Sequence, residues 1–188
     1  MPATAQQLPS PGQDKPLPKD RVVSGIPKGG TDSSWLYPSP QMFFNAMQRK
    51  GWSPREEDMP TVVAIHNAVN ERAWGEVLKW ERMHCESCST PKLVKFVGRP
   101  KDFSPQARFN QLMGYTLPFD RHDWTVDRCG AKVRYVIDFY RYTTNFVHIY
   151  RAHTYCSLRR TAYCSLRRTV ILSPQLTANV GSESQFLY

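Results

Sequence analysis

The sequence contains two stretches whose residue types could do chemistry. Residues 118–124 read PFDRHDW, in which three charged residues and one histidine stand in a row between aromatic residues. A core strand does not carry such a row unless its side chains are paired or bind something, because burying an unpaired charge is costly. The run therefore predicts a polar site with aromatic walls.

The second stretch is a long amphipathic pattern around His66. Apolar residues recur at spacings of three and four over residues 59–82, which predicts one helix with a single apolar face. That face consists of Val62, His66, Val69, Ala73, Val77 and Trp80. His66 is its only polar residue. Such a histidine can be a metal ligand, although in such a place it is more often a hydrogen-bonded core residue.

Local signals predict two further helices beside the long one. Ser39 followed by Pro40 reads as an N-cap and a first helical residue, and Gly51 stops that helix. The pair at 104–105 is again Ser-Pro, and it opens a third helix that ends near Gly114.

The remaining pattern predicts strands. Residues 93–98, LVKFVG, read as a short strand. Segments 123–128 and 132–140 read as a hairpin about Cys129 and Gly130, with every second residue from Val133 to Phe139 on one apolar face. The order of these elements predicts an α+β fold, in which helices pack on a small antiparallel sheet.

Composition divides the chain into three regions. Residues 1–34 hold six of the 15 prolines, and we expect a disordered leader there because such a segment has little apolar surface to bury. Residues 35–140 form the predicted domain. Residues 141–188 form a basic tail in which YCSLRRT occurs at 155–161 and again at 163–169, a period that matches no helix, strand or solenoid repeat.

The net charge of +9 raises the question of nucleic-acid binding. Residues 35–140 carry fifteen Lys/Arg against twelve Asp/Glu, whereas the tail carries six against one. A nucleic-acid-binding module would thus rest on the Arg-Arg pairs of the tail, and with so balanced a body we expect no nucleic-acid partner. No stretch approaches the roughly 18 to 20 apolar residues of a membrane-spanning helix, and no signal-peptide core follows Met1.

The five cysteines are scattered and odd in number, at Cys85, Cys88, Cys129, Cys156 and Cys164. A chain of this size does not need disulfide staples, so free thiols are expected. Cys85 and Cys88 form a CxxC, which would be redox-active, half of a zinc site, or without either role. No second CxxC or Cys/His pair lies at zinc-finger spacing.

Three segments, in the same order, resemble a known family. They are SWLYPSPQMFFNAMQRKGW at 34–52, AIHNAVNERAWGEVLKWE at 64–81 and GYTLPFDRHDWTVDRCGAKVRYVIDFY at 114–140. Over residues 35–140 the chain resembles the mitochondrial holocytochrome c synthases, or cytochrome c haem lyases. The resemblance implies a lyase that adds two cysteine thiols of apocytochrome c across the vinyl groups of haem b, with ferrous haem as co-substrate.

The resemblance also implies roles for individual residues. His66 falls on the family's haem-ligand position, as axial ligand and catalytic residue, and Asn67 and Glu71 fall on supporting positions beside it. Trp35 and Tyr37 match a haem-contacting aromatic segment, although they could equally be core anchors. His122 and Arg128 match positions that the family requires. Arg128 would bind a propionate, and His122 would be catalytic and cofactor-binding. The alternative is an ion-pair cluster of Asp120, Arg121, Asp123 and Arg128.

The compartment is likewise an implication of the resemblance. The first 20 residues lack arginine and include Asp14, which does not fit a mitochondrial transit peptide. The resemblance implies the mitochondrial intermembrane space, with peripheral attachment to the inner membrane. It ends at Tyr140, so we expect the atypical tail to impair activity. The alternative function is a non-enzymatic haem-binding or haem-transfer protein.

Overall fold

In a computed structural model of the chain, residues 7–141, 148–155 and 169–171 are described, with side chains for residues 7–140. The helices are α1 (Pro40–Arg49), α2 (Met59–Glu81) and α3 (Pro105–Leu112). The strands are β1 (Val23–Pro27), β2 (Ser34–Leu36), β3 (Lys92–Gly98), β4 (Asp120–Arg128), β5 (Ala131–Arg141), β6 (His148–Tyr155) and β7 (Thr169–Ile171). The predicted α+β class is confirmed.

The helices begin where the sequence signals predicted. The Ser39 hydroxyl accepts a hydrogen bond from the backbone N–H of Met42 (3.2 Å), and Pro40 is the first helical residue. Gly51 follows α1 with φ of +82°, a left-handed conformation that favours glycine. The predicted apolar face of α2 is buried at Val69, Ala73 and Val77. Local capping and periodicity therefore account for both helices.

The described residues divide into two units. The first comprises residues 7–25 and 34–71, and the second comprises residues 26–33, 72–141, 148–155 and 169–171. The first unit has a core between α1 and the start of α2. The buried members of that core are Leu17, Phe43, Phe44, Met47, Met59, Val62 and Val63, with Trp52 packed against them.

The prediction of a disordered leader is wrong for residues 7–33. Leu17 is only 7% exposed and belongs to the core of the first unit. Gln13 exchanges side-chain hydrogen bonds with the buried Gln41 of α1 (2.7 and 3.0 Å). Leu17 and Ile26 of this proline-rich segment are thus buried, although its composition alone does not reveal a folded segment.

The second unit is built on a five-stranded antiparallel sheet in the order β3-β4-β5-β6-β7. The predicted hairpin is confirmed, and β4 starts three residues earlier than expected, at Asp120. Cys129 and Gly130 form its turn, both with positive φ (47° and 97°), as a two-residue hairpin of this twist requires. Every second residue of β4, beginning at Asp120, is buried.

Strand β5 is buried on both faces from Tyr135 to Tyr140. On one of these faces, Asp138 accepts a short hydrogen bond from the hydroxyl of Ser104, the N-cap of α3. The same hydroxyl accepts from the backbone N–H of Ala107 (3.0 Å). Ser104 therefore joins the start of α3 to the middle of the sheet.

The leader also reaches the edge strand of this sheet. Lys28 forms a parallel bridge with Leu93, and the N–H of Gly29 donates to the carbonyl of Leu93 (2.8 Å). A side chain at position 29 would have its Cβ 2.6 Å from a methyl group of Val94, so glycine is needed for this approach. Lys92 adds a bond from its ammonium group to the carbonyl of Thr31 (2.9 Å).

The expectation of free thiols is wrong for two cysteines. Cys88 and Cys129 form a disulfide, with Cα atoms 5.5 Å apart, which is in the ordinary range for this bond. They are 41 residues apart in sequence, so only the folding of β3 and β4 against the end of α2 brings them together. Cys85 is free and exposed, while Cys156 and Cys164 lie outside the described residues.

The tail contributes two strands to the sheet. Strand β6 runs over His148–Tyr155 and pairs with β5 along eight positions, and β7 pairs with β6. The hairpin is thus not an isolated two-stranded ribbon. Apart from Tyr155 and Thr169, the tandem YCSLRRT repeat lies outside the described residues. Within the described ranges, no helix combines the length and apolarity needed to cross a bilayer.

The two helix-capping serines should differ in their effect on stability. Both are fully buried and cap a helix, but Ser104 also donates to the buried Asp138 carboxylate. We expect Ser39→Ala to lower the free energy of unfolding by about 1 kcal/mol. Ser104→Ala should cost about 2 to 3 kcal/mol, because it leaves a buried acceptor without that donor. Urea unfolding measures both, and equal losses would contradict the proposed Ser104–Asp138 contribution.

Candidate functional site

His66 lies in the first unit, half-buried on α2, with a side-chain amide beside each ring nitrogen. Its Nδ1 is 3.1 Å from Oδ1 of Asn67, and its Nε2 is 3.3 Å from Nδ2 of Asn70. The Asn70 amide also donates to the backbone carbonyl of His66 (2.8 Å). The ring is therefore oriented by its own helix.

These contacts select one tautomer of the imidazole. An amide oxygen can only accept, so the contact with Asn67 requires the proton on Nδ1. Nε2 then carries the lone pair and accepts from Asn70. A neutral imidazole with Nδ1–H bonded to a fixed oxygen is the form in which histidine binds a metal through Nε2.

Two aromatic rings flank His66 within the first unit. The ring of Tyr37 lies 5.9 Å from it and that of Phe43 lies 5.1 Å from it, both edge-on. These are favourable T-shaped distances. The rings restrict access to the imidazole without enclosing it, because His66 itself remains partly exposed.

Glu71 holds Tyr37 in place from one turn further along α2. Its Oε1 accepts from the hydroxyls of Ser24 (2.6 Å) and Tyr37 (2.9 Å) and from the N–H of Gly25 (3.0 Å). Burial raises the pKa of the Tyr37 hydroxyl far above its ordinary value, and the Glu71 carboxylate raises it further. Tyr37 is therefore a permanent donor, and Glu71 acts as a support and not as a reacting group.

The structure thus brings together four of the predicted residues: Tyr37, His66, Asn67 and Glu71. Trp35 belongs to β2, two residues before Tyr37, and is half-buried. The role of Trp35 as a wall of a haem site, with a core anchor as the alternative, stays a prediction.

His122 and Arg128 lie in the second unit, at opposite ends of β4. His122 is 1% exposed; its Nε2 lies 3.2 Å from Oδ2 of Asp120, and its ring stands edge-on to Phe139 at 4.9 Å. Both residues face the same side of the strand, but Arg128 lies six positions beyond His122, which separates them by roughly 20 Å. They are separate contacts and not one cluster.

Arg128 is held by a carboxylate that sequence reasoning missed. Its Nε and Nη2 donate to the two oxygens of Glu81 (2.7 and 2.9 Å), and the hydroxyl of Tyr135 makes a short bond to the same carboxylate. All three side chains are buried. Burial by itself would raise the pKa of Glu81, but the bonds from Arg128 and Tyr135 outweigh it and lower the pKa. The guanidinium is thus already engaged in a bidentate pair.

The alternative of one ion-pair cluster around Arg128 is wrong. Arg121 forks onto Asp123 (2.9 and 3.2 Å), and Arg99 approaches the same carboxylate (3.4 Å). These side chains lie on the opposite face of β4 from Asp120 and Arg128, since faces alternate along a strand. The charged row is compatible with a strand because its carboxylates are individually paired.

Comparison with known proteins places the chain in a family. The model described as "Cytochrome c/c1 heme lyase" matches residues 1–146. The chain belongs to the cytochrome c/c1 heme lyase family.

Several curated relatives match about 70% of the chain. The holocytochrome c-type synthase of Gallus gallus is 54% identical over 140 residues, which is 71% of this chain and 51% of that protein. The probable holocytochrome-c-type synthase of Caenorhabditis elegans is 56% identical over 142 residues (71% and 51%). The holocytochrome-c synthase of Saccharomyces cerevisiae is 44% identical over 155 residues (69% and 58%). The chain spans about half the length of such curated relatives, and no solved structure matches it.

Two residues of this candidate site were missed from sequence. Asn70 stands four positions after His66, and side chains at this spacing meet on a helix. The segment HNAVN at 66–70 therefore indicated the contact between these two side chains. Phe43 lies on α1, and its local sequence gives no indication of a contact with His66. Its approach to His66 depends on the packing of α1 against α2 and could not be deduced from spacing.

Arg128 should matter to stability before any ligand binds. Arg128→Gln leaves the Glu81 carboxylate buried without its main donor, and we expect a loss of about 3 to 5 kcal/mol in the free energy of unfolding. Glu81→Gln should cost a similar amount, and the double variant should cost clearly less than the sum. Chemical unfolding of all four proteins gives the coupling. Additive losses would mean that the pair makes no contribution of its own.

Proposed function

We propose that this chain is a holocytochrome c synthase, which attaches haem b to the CxxCH cysteines of apocytochrome c through two thioether bonds. The observation that carries the proposal is the presentation of His66. Its proton is fixed on Nδ1 by Asn67, its Nε2 faces a replaceable donor, and two aromatic rings border it. Membership of the heme lyase family supports the same reaction.

The proposed reaction depends mainly on holding its reactants in the right position. Ferrous haem would supply an iron with two axial positions and two vinyl groups that accept thiols. In each addition the sulfur bonds to one vinyl carbon and the thiol hydrogen ends on the other, so no oxidant and no leaving group is required. Holding the reactants side by side accounts for much of the rate of such a step.

The chain's own residues can provide that positioning. Nε2 of His66 would be one axial ligand, and the Asn67 oxygen would keep Nδ1 protonated and the ring oriented. Asn70 would release Nε2 yet keep its bond to the His66 carbonyl (2.8 Å). Glu71 would hold Tyr37 as a wall beside the ligand. The histidine of the substrate's CxxCH would then take the opposite axial position, with its cysteines near the vinyl groups.

The roles of His122 and Arg128 stay predictions within this proposal. A propionate could bind Arg128 only by sharing or displacing Glu81, which now occupies the guanidinium fork. His122 is oriented by Asp120 and Phe139, so a role in catalysis would depend on that buried dyad. Trp35 remains a proposed second wall.

We also propose that the protein works in the mitochondrial intermembrane space, peripherally attached to the inner membrane. The proposal rests on the family alone. Fractionation of mitochondria followed by alkaline extraction tests it, and we expect the protein in the mitoplast fraction and its release by alkali. Recovery in the matrix, or in the membrane pellet after alkali, would overturn this part.

Substitution of His66 is the direct test of the site. We expect His66→Ala, co-expressed with apocytochrome c, to lose haem binding and to form less than about a tenth of the covalent product, because an axial ligand is removed. The matched control is His84→Ala, which changes an exposed histidine. Visible spectra report haem binding, and haem staining of denaturing gels reports covalent attachment. Normal product from His66→Ala would refute the assignment. Haem binding by the unsubstituted chain without any covalent product would favour the haem-transfer alternative.

The two asparagines beside His66 provide a finer test. Asn67→Ala should weaken haem affinity about 10- to 100-fold, because it removes the acceptor that orients the ligand. Asn70→Ala should leave affinity equal or higher, because it removes a donor that competes for Nε2. Haem titration followed by absorbance measures both. Loss of affinity in Asn70→Ala alone would mean that the tautomer is reversed.

The tail should limit activity. The resemblance of the three sequence segments ends at Tyr140, and the family model matches the chain as far as residue 146. A chimera that carries the corresponding segment of the Gallus gallus relative after Tyr140 should give more soluble protein and more covalent haem than this chain. Side-by-side expression with apocytochrome c measures both quantities. Equal yields of soluble protein and covalent haem would show that residues 141–188 serve as well as the transplanted segment.

A further inference from the structure

The described part of the second unit contains three cysteines, and the proposed haem chemistry uses none of them. Cys88 and Cys129 are bonded to each other, while Cys85 is a free and exposed thiol. Cys85 and Cys88 also form the CxxC of the sequence. A zinc site does not account for it, because the sulfur of Cys88 is in a disulfide and no metal-binding group of three side chains occurs in the described part of the chain.

The backbone places Cys85 next to the disulfide. A short 3-10 helix at Arg82–His84 follows α2, and the chain then continues as a tight turn. The N–H groups of Ser87 and Cys88 both donate to the carbonyl of His84 (3.0 and 3.1 Å). Residues 84–88 thus form one helical turn, in which positions three apart lie on the same side, and their Cβ atoms are about 5 to 6 Å apart. Cys85 and Cys88 have this spacing.

The geometry points to a thiol–disulfide exchange site made of Cys85, Cys88 and Cys129, with two alternative pairings. Cys88 is 5% exposed, so thiols in solution reach it poorly, whereas Cys85 approaches it from its own turn. CxxC is the spacing at which dithiols of redox proteins close into a disulfide. The second pairing is therefore Cys85–Cys88.

The exchange is balanced without any added reagent. The thiolate of Cys85 attacks Sγ of Cys88, the bond between Cys88 and Cys129 breaks, and Cys129 leaves as a thiolate. Cys129 takes up the proton that Cys85 has lost. One disulfide and one thiol exist before and after, so neither an oxidant nor a reductant is consumed.

The exchange changes the bonds that join the β4–β5 hairpin to the turn after α2. In the observed pairing, the turn after α2 is covalently joined to the β4–β5 turn, next to the noncovalent bond between Glu81 and Arg128. In the second pairing only the noncovalent bond remains there. Cys129, which is exposed at the hairpin turn, becomes a free thiol that a disulfide of another molecule or an alkylating agent can reach.

Peptide mapping distinguishes the two pairings. The full chain carrying Cys156→Ser and Cys164→Ser is incubated at pH 8 without added thiol or oxidant, blocked with N-ethylmaleimide and digested with trypsin. The observed pairing gives residues 83–92 joined to residues 129–132, with one label on Cys85. The second pairing gives residues 83–92 closed on themselves and a labelled Cys129. We expect both products in the same sample.

Two variants complete the test. Cys85→Ser should show only the bond between Cys88 and Cys129, and its Cys129 should stay unlabelled. Cys129→Ser, oxidised with glutathione disulfide, should close the bond between Cys85 and Cys88 while circular dichroism shows a folded protein. The proposal is overturned if Cys129 is never labelled, if it is labelled equally in Cys85→Ser, or if folded Cys129→Ser fails to close the CxxC.

Discussion

Hydrogen bonds from hydroxyl groups to half-buried or buried carboxylates are the interaction around which both units are organised. A carboxylate taken out of water needs strong donors, and in this chain the donor is repeatedly a hydroxyl group from a distant element. Glu71 receives the hydroxyls of Ser24 and Tyr37 in the first unit. Glu81 receives that of Tyr135, together with the Arg128 fork, in the second.

These hydrogen bonds restrict the rotation of particular side chains. Each of these carboxylates fixes a side chain that would otherwise rotate: half-buried Glu71 holds the Tyr37 ring beside His66 in one unit, and buried Glu81 holds the guanidinium of Arg128 in the other. A hydrophobic core could supply equal stability, but it would not orient a ring or a charge in this way. Glu71 and Glu81 thus act as supports for other groups.

Sequence reasoning succeeded where the cause was local. The Ser-Pro starts at Ser39 and Ser104, the apolar face of α2 and the turn at Cys129 are decided by neighbours within a few residues. It failed where the cause was distant. The burial of Leu17 and the Cys88–Cys129 bond depend on segments that fold together from far apart, and composition predicted the opposite in both cases.

The candidate site shows the same division. His66 could be found as the polar residue on an apolar face, and the resemblance then indicated Asn67 and Glu71. The partner of Arg128 could not be found, because the sequence offers nearer acidic residues in Asp120 and Asp123. Strand alternation turns Asp123 to the other face, and the end of α2 provides Glu81 instead. Only the register of the sheet decides between these partners.

The contact between the leader and β3 has a consequence for self-association. Strand β3 is an edge of the sheet, and an uncovered edge offers its backbone groups to the strands of other molecules. Lys28 and Gly29 occupy part of that edge at Leu93, and Thr31 is tied to Lys92. The proline-rich segment thus shields the sheet from intermolecular strand pairing, and its removal would favour aggregates even with every site residue intact.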